Sequence, residues 1–133
     1  MMVYRAGMIR FTQLSAILLV VLLCIGGGLR ANEADFVDGF EDLPLMPGLA
    51  VDDQAGLLFD KPSGRIAEAV AGGAVPASEI RSFYGATLPE LGWQPVGSDG
   101  LDMLLFRRSD ETLRIEIRDE KRIRLVRFLL TPG

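Results

Sequence analysis

The chain of 133 residues contains no histidine. The commonest general base and the commonest metal ligand are therefore both missing. Its one cysteine, Cys24, lies inside an apolar stretch. That excludes a disulfide framework and a thiolate zinc cluster. Aromatic residues are few: one Trp, two Tyr and seven Phe. No acidic residue precedes Glu33, and all eighteen follow from there. The length leaves room for one domain.

What is present at the N-terminus has the three parts of an export signal. Arg5 and Arg10 form a basic head, residues Leu14 to Ile25 an apolar core, and Ala31 or Ala34 offers a small residue for cleavage. Met8 supplies a second possible start. A retained anchor is the rival reading, since the nineteen uncharged residues between Arg10 and Arg30 suffice to span a bilayer. The run Gly26-Gly27-Gly28 weakens a helix there, which favours a cleavable end. A lipoprotein signal at Cys24 is a third reading, disfavoured by the bulky Leu23 before it. In each case the expectation is a basic head on the cytoplasmic side and a domain that is periplasmic, or anchored facing the periplasm. Residues 1–31 are thus the signal peptide or anchor helix.

From Asn32 onward, eleven basic residues face eighteen acidic ones, a net charge of −7. Such a domain is a poor non-specific nucleic-acid binder, because phosphate binding needs positive surface. Residues 33–53 carry seven acidic residues and no basic ones, and Pro44, Pro47 and Gly48 break regular structure. The sequence therefore predicts an extended acidic arm over 32–55. The apolar residues Leu43, Leu45, Met46 and Leu49 are expected to dock part of it on the core of a domain spanning 56–133.

Within that domain, Leu57 to Asp60 and Arg65 to Ala71 read as two strands around the turn Lys61-Pro62-Ser63-Gly64. A helix is predicted from about Ala77 to Leu91. Ile80, Phe83, Tyr84, Thr87, Leu88 and Leu91 recur at helical spacing along one stripe. Pro76 or Ser78 marks its start. Pro89 removes one bond near its end, Gly92 is placed for a left-handed cap, and Trp93 follows, free to fold back on Leu88. Three strands close the chain at 101–108, 112–118 and 122–130, with a short one at 93–96 also possible. In the last strand Ile123 and Leu125 fall on one parity and Val126, Phe128 and Leu130 on the other. A bulge near Leu125–Val126 is the expected reconciliation. The fold class is α+β: an antiparallel sheet of about five strands with one helix packed on one face, in the order β-β-α-β-β-β.

The blocks "DLPLMPGL", "FDKPSGRI", "FYGATLPELGW" and "LLFRRSDETLRIEIR" resemble a family of small exported bacterial proteins of unknown function. The resemblance spans about residues 42–133. It implies a bacterial envelope location and brings no activity and no catalytic residues.

Candidate chemistry is thin. Lys61 with Ser63 has the composition of a Ser–Lys pair, but Pro-Ser-Gly is turn chemistry first. Asp52, Asp53, Asp99 and Asp102 lack the dense spacing of a calcium loop. No local pattern singles out a carboxylate pair for hydrolysis. The most distinctive surface is basic. Arg107, Arg114, Arg118, Arg122, Arg124 and Arg127 are interleaved with acids, either as a solvated face of cross-strand pairs or as a partner surface. The acidic arm is a further candidate to cover it. The reading that follows is a non-catalytic envelope interaction domain, with no cofactor and no nucleic-acid partner, meeting an envelope protein or an anionic membrane surface. The alternative is a small envelope hydrolase using carboxylates. Phe83, Tyr84, Leu88, Pro89, Gly92 and Trp93 are assigned to structure, with only the Tyr84 hydroxyl left over.

Overall fold

The computed structural model describes residues 35–100 and 102–133. The signal or anchor reading of residues 1–31 lies outside them. Among the described residues no helix is long and apolar enough to cross a membrane.

Ten-residue strands make the centre of the sheet because their apolar residues alternate. In Leu113, Ile115 and Ile117, and in Val126, Phe128 and Leu130, every second side chain is buried. These belong to β6 (Glu111–Glu120) and β7 (Ile123–Pro132). The remaining strands are β1 (Ala50–Val51), β2 (Leu57–Lys61), β3 (Gly64–Gly73), β4 (Gln94–Ser98) and β5 (Met103–Arg108). The helix α1 spans Ala77–Glu90. All pairings are antiparallel, in the order β1-β3-β7-β6-β5-β4, with β2 paired to β3 as well. The helix links β3, beside one edge, to β4 at the other. It therefore has to cross one face of the sheet, and its Ile80, Tyr84 and Leu88 are fully buried there.

The α+β class and, among the described residues, the one helix on the sheet agree with the sequence. The sheet has seven strands rather than about five. One addition is β4, already suggested by residues 93–96. The other is β1, whose two residues are too short to show any alternation. The hairpin between β2 and β3 is tighter than the four-residue turn expected: Lys61 pairs with Gly64, leaving only Pro62 and Ser63 between them.

The bulge expected near Leu125–Val126 is absent. β7 keeps unbroken register with both neighbours, and the irregularity lies in β4 between Pro95 and Gly97. The two parities of β7 are instead two apolar faces. Val126, Phe128 and Leu130 enter the core, while Leu125 and Leu129 are half-buried and Ile123 is exposed on the opposite face.

The arm is part of the domain. Val37, Phe40, Leu43, Met46 and Leu49 are buried in the same core as the helix stripe. Phe40 and Tyr84 each meet the Phe128 ring edge to face, at 6.5 and 5.3 Å. The alanines of β3 explain how the arm fits. Ala67, Ala69 and Ala71 are buried with little side chain to occupy the space. At the end of β3, a Cβ on Gly73 would collide with the Gly48 carbonyl oxygen, so the arm backbone rests directly on the strand.

The arm therefore does not cover the basic face. Magnitudes decide this. Burying an apolar side chain of this size contributes roughly 1.5–3 kcal/mol, whereas an exposed ion pair contributes under about 1 kcal/mol. Five apolar residues outweigh the attraction of the arm's acids for exposed arginines, and they draw the arm to the helix side.

Candidate functional site

Cross-strand register defines the face that neither helix nor arm covers. Alternation places Ile66, Glu68 and Val70 of β3 on it, with Leu125, Arg127 and Leu129 of β7, Arg114, Glu116 and Arg118 of β6, and Met103, Leu105 and Arg107 of β5. Leu57 and Phe59 of β2 extend it, since they pair with Glu68 and Ile66. The two side chains are about half exposed, at 49% and 52%.

The centre of this face is an ion-pair network. Arg127 Nε donates to Glu68 at 2.6 Å, and its Nη1 lies 3.6 Å from Glu116. Arg118 donates to Glu116 at 3.3 Å, and Arg114 lies 3.8 Å from the same carboxylate. Glu116 thus sits among three guanidinium groups. The hydrogen bond from Arg127, aided by its charge, holds the Glu68 carboxyl below its ordinary value against the opposing effect of burial. Arg127 is correspondingly raised, first by its bond to Glu68. Glu120 of β6 and Lys61 of β2 share the same parity, so with Arg107 included five basic residues oppose three glutamates, and the face is net positive within a strongly acidic domain.

Of the six arginines expected to form one surface, four share this face: Arg107, Arg114, Arg118 and Arg127. The other two do not. Arg124 falls on the opposite parity, paired with Asp119, and its Nε is buried without an acceptor. Arg122 lies in the β6–β7 turn beside Ala74, Val75 and Pro76. The reason for Arg124 is the two-residue period, since 124 shares even parity with the core-facing 126, 128 and 130, whereas Arg122 precedes the strand.

Three carboxylates line one groove. An open groove of about 540 Å³ is lined by Asp102, Glu116 and Asp119, together with Arg118, Arg124 and Ala77. Glu116 and Asp119 are each engaged by arginine. Among the described residues no group of three or more acids or other ligands is arranged to hold a metal. Asp52 serves its own turn, accepting from the Gln54 N–H at 3.0 Å, and Asp99 is exposed. Lys61 and Ser63 are exposed at the tip of the first hairpin.

The motif around the helix end has become structural. Pro76 is the N-cap, and its carbonyl accepts from Glu79 and Ile80. Gly92 takes a φ of +88°, and the Trp93 N–H returns to the Leu88 carbonyl at 3.0 Å. Leu88 and Trp93 are buried, Phe83 is half-buried against Tyr84, and Pro89 is exposed in the last turn. The Tyr84 hydroxyl, left over in the sequence, donates to the Pro44 carbonyl at 3.0 Å and accepts from the Met46 N–H at 3.2 Å. Burial pushes its pKa up to about 12, partly offset by the Met46 bond.

Sequence reasoning did not single out Arg108. It lies on the core side of β5, donates to both oxygens of Asp42 at 2.5 and 3.2 Å, and caps the Leu91 carbonyl at 3.1 Å. It also stacks 4.3 Å from the Trp93 ring centroid. Only its even parity, shared with the buried Phe106, hinted at this.

No family model, curated protein or solved structure matches this chain.

Proposed function

We propose that this is an exported, non-catalytic interaction domain of the bacterial envelope, and that its uncovered sheet face binds an anionic partner. The pattern of basic head, apolar core and small residues in 1–31, which reads as an export signal, and the resemblance carried by the sequence blocks support the location. One observation carries the binding role: Lys61 and four arginines against three glutamates, Glu68, Glu116 and Glu120, occupy a face that the domain's own acidic arm leaves uncovered. At physiological salt the screening length is about 8 Å. The charge of the far side is then largely screened, and the local excess of positive charge governs what approaches.

A hydrolase reading would centre on the groove of Asp102, Glu116 and Asp119. It is the weaker one, because arginines already occupy two of those carboxylates and histidine is absent.

The experiment compares the protein with its Arg107→Glu/Arg114→Glu/Arg118→Glu variant. Binding is measured to vesicles of anionic phospholipid, to neutral vesicles and to acidic envelope proteins. All three arginines are exposed or partly exposed, so the fold should persist. The expected result is salt-sensitive binding to an anionic target that the variant loses. Equal behaviour of the two proteins on every target would sink this reading.

A further inference from the structure

The two edges of the sheet differ. At one, β4 carries Pro95 and a bulge, both devices that discourage strand addition. At the other, β2 carries neither. It shares this edge with the two-residue β1, among the described residues it pairs only with β3, and Leu57, Leu58 and Phe59 are 49%, 54% and 52% exposed. Three consecutive apolar residues on an open edge strand form a template for another strand.

We infer that β2 is a self-association edge, and that a second copy of this chain adds its own β2 antiparallel to it. The hairpin fixes which backbone groups are available. Lys61 and Gly64 close a two-residue loop, so they exchange bonds, as do Phe59–Ile66 and Leu57–Glu68. Leu58 and Asp60 then point their N–H and C=O groups outward. A two-fold axis at Leu58 pairs Leu58 with Leu58 and sets Leu57 of each copy opposite Phe59 of the other. Asp60 falls opposite Gly56, and Lys61 opposite Ala55, two residues from Asp53. Apolar residues meet apolar ones, and no like charges oppose. Shifting the axis to Phe59 would set Leu58 against Asp60 and Leu57 against Lys61, and shifting it to Asp60 would pair the acids.

The closure is also physical. Each copy has one receptive edge and one blunted edge, so pairing stops at a dimer with an isologous interface. The open faces of the two copies then join into one continuous surface. This inference is independent of whether that surface binds an anion.

Single cysteines in the full chain, with Cys24→Ser, provide the test. A bonded antiparallel pair has Cα atoms about 5.5 Å apart, within disulfide reach. Under mild oxidation of the purified chain, Leu58→Cys should give a covalent dimer while Val96→Cys, on the blunted edge, stays monomeric. In sedimentation velocity, Phe59→Lys should halve the mass of the particle without altering the circular dichroism. Three results would overturn the inference: no crosslink at Leu58→Cys, equal crosslinking at both edges, or a dimer that persists in Phe59→Lys. A monomeric parent protein would also overturn it and leave the edge to a strand of a different protein.

Discussion

The hydroxyl of Tyr84 is bonded to the arm on both sides of Leu45, donating to the carbonyl of Pro44 and accepting from the N–H of Met46. One side chain in the middle of the helix thereby satisfies two buried backbone groups of a segment 40 residues earlier. The ring also packs on Phe128, so helix, arm and sheet meet at this point.

Tyr84→Phe should keep the packing and lose both bonds. Leaving a buried carbonyl and N–H unpaired costs about 1–3 kcal/mol. The pH dependence gives a second signature. The native pKa of about 12 lies above the unfolded value of 10.0. The contribution is therefore fully present below pH 10 and is lost as pH rises toward 12. That alkaline loss is on the order of 2 kcal/mol. Denaturant titrations of both proteins between pH 8 and about pH 12 should show the steep alkaline limb in the parent and a shallower one in Tyr84→Phe. Parallel limbs would mean the hydroxyl is not buried in the folded protein.

The contact of Gly48 on Gly73 makes a prediction about the arm. In Gly73→Ala the new Cβ would meet a backbone oxygen, which has no rotamer to escape into. Overpacking of this kind costs about 1–3 kcal/mol, and the arm is the element that has to move. Limited proteolysis should cut the variant within residues 35–49 faster than the parent, with the sheet surviving as a fragment. An unchanged digestion pattern would show that the arm does not rest on β3.

How much of this was legible differs element by element. The helix declared itself through six residues at helical spacing and the Gly92 stop, and its bounds are right to within a residue. Hairpins were visible from their turn residues. The side on which the arm docks was not, because alternation shows which residues share a face and not which face is covered. The mixed parity of β7 suggests a bulge from sequence, since a strand apolar on both faces departs from the usual half-buried pattern. Parity along a regular β7 separates Arg124 from Arg127, and Arg122 falls in the turn before the strand. Arg108 gave almost no signal, because its partners lie 66 and 17 residues away.

Arg108 joins Asp42 of the arm, the carbonyl of Leu91 and the ring of Trp93. Arg108→Met retains an unbranched apolar stem and removes all three polar contacts. The expected loss is about 1–3 kcal/mol, combining a charge-assisted pair and a cation–π contact at a partly exposed site. Trp93 is the only tryptophan, so its fluorescence should change in the folded variant and report the lost stacking directly. Arg108→Lys should recover little, because an ammonium cannot bridge both Asp42 oxygens in the same fork. Full recovery by lysine would show that charge alone matters here.

Glu68 offers a test of the open face at low pH. Its native pKa is depressed below 4.5 by the bond from Arg127. The stabilisation is therefore complete above about pH 4.5 and disappears as pH falls through the native value. Glu68→Gln keeps the shape and removes the charge. At neutral pH it should cost no more than about 1 kcal/mol, since both partners are partly exposed. Below the native pKa parent and variant should converge in stability. The same change frees Arg127 and raises the net positive charge of the face by one. If the face binds anions, Glu68→Gln should bind anionic vesicles more tightly than the parent while being less stable. A variant that is both less stable and weaker in binding would mean that Glu68 orders the arginines, and that geometry rather than net charge sets recognition.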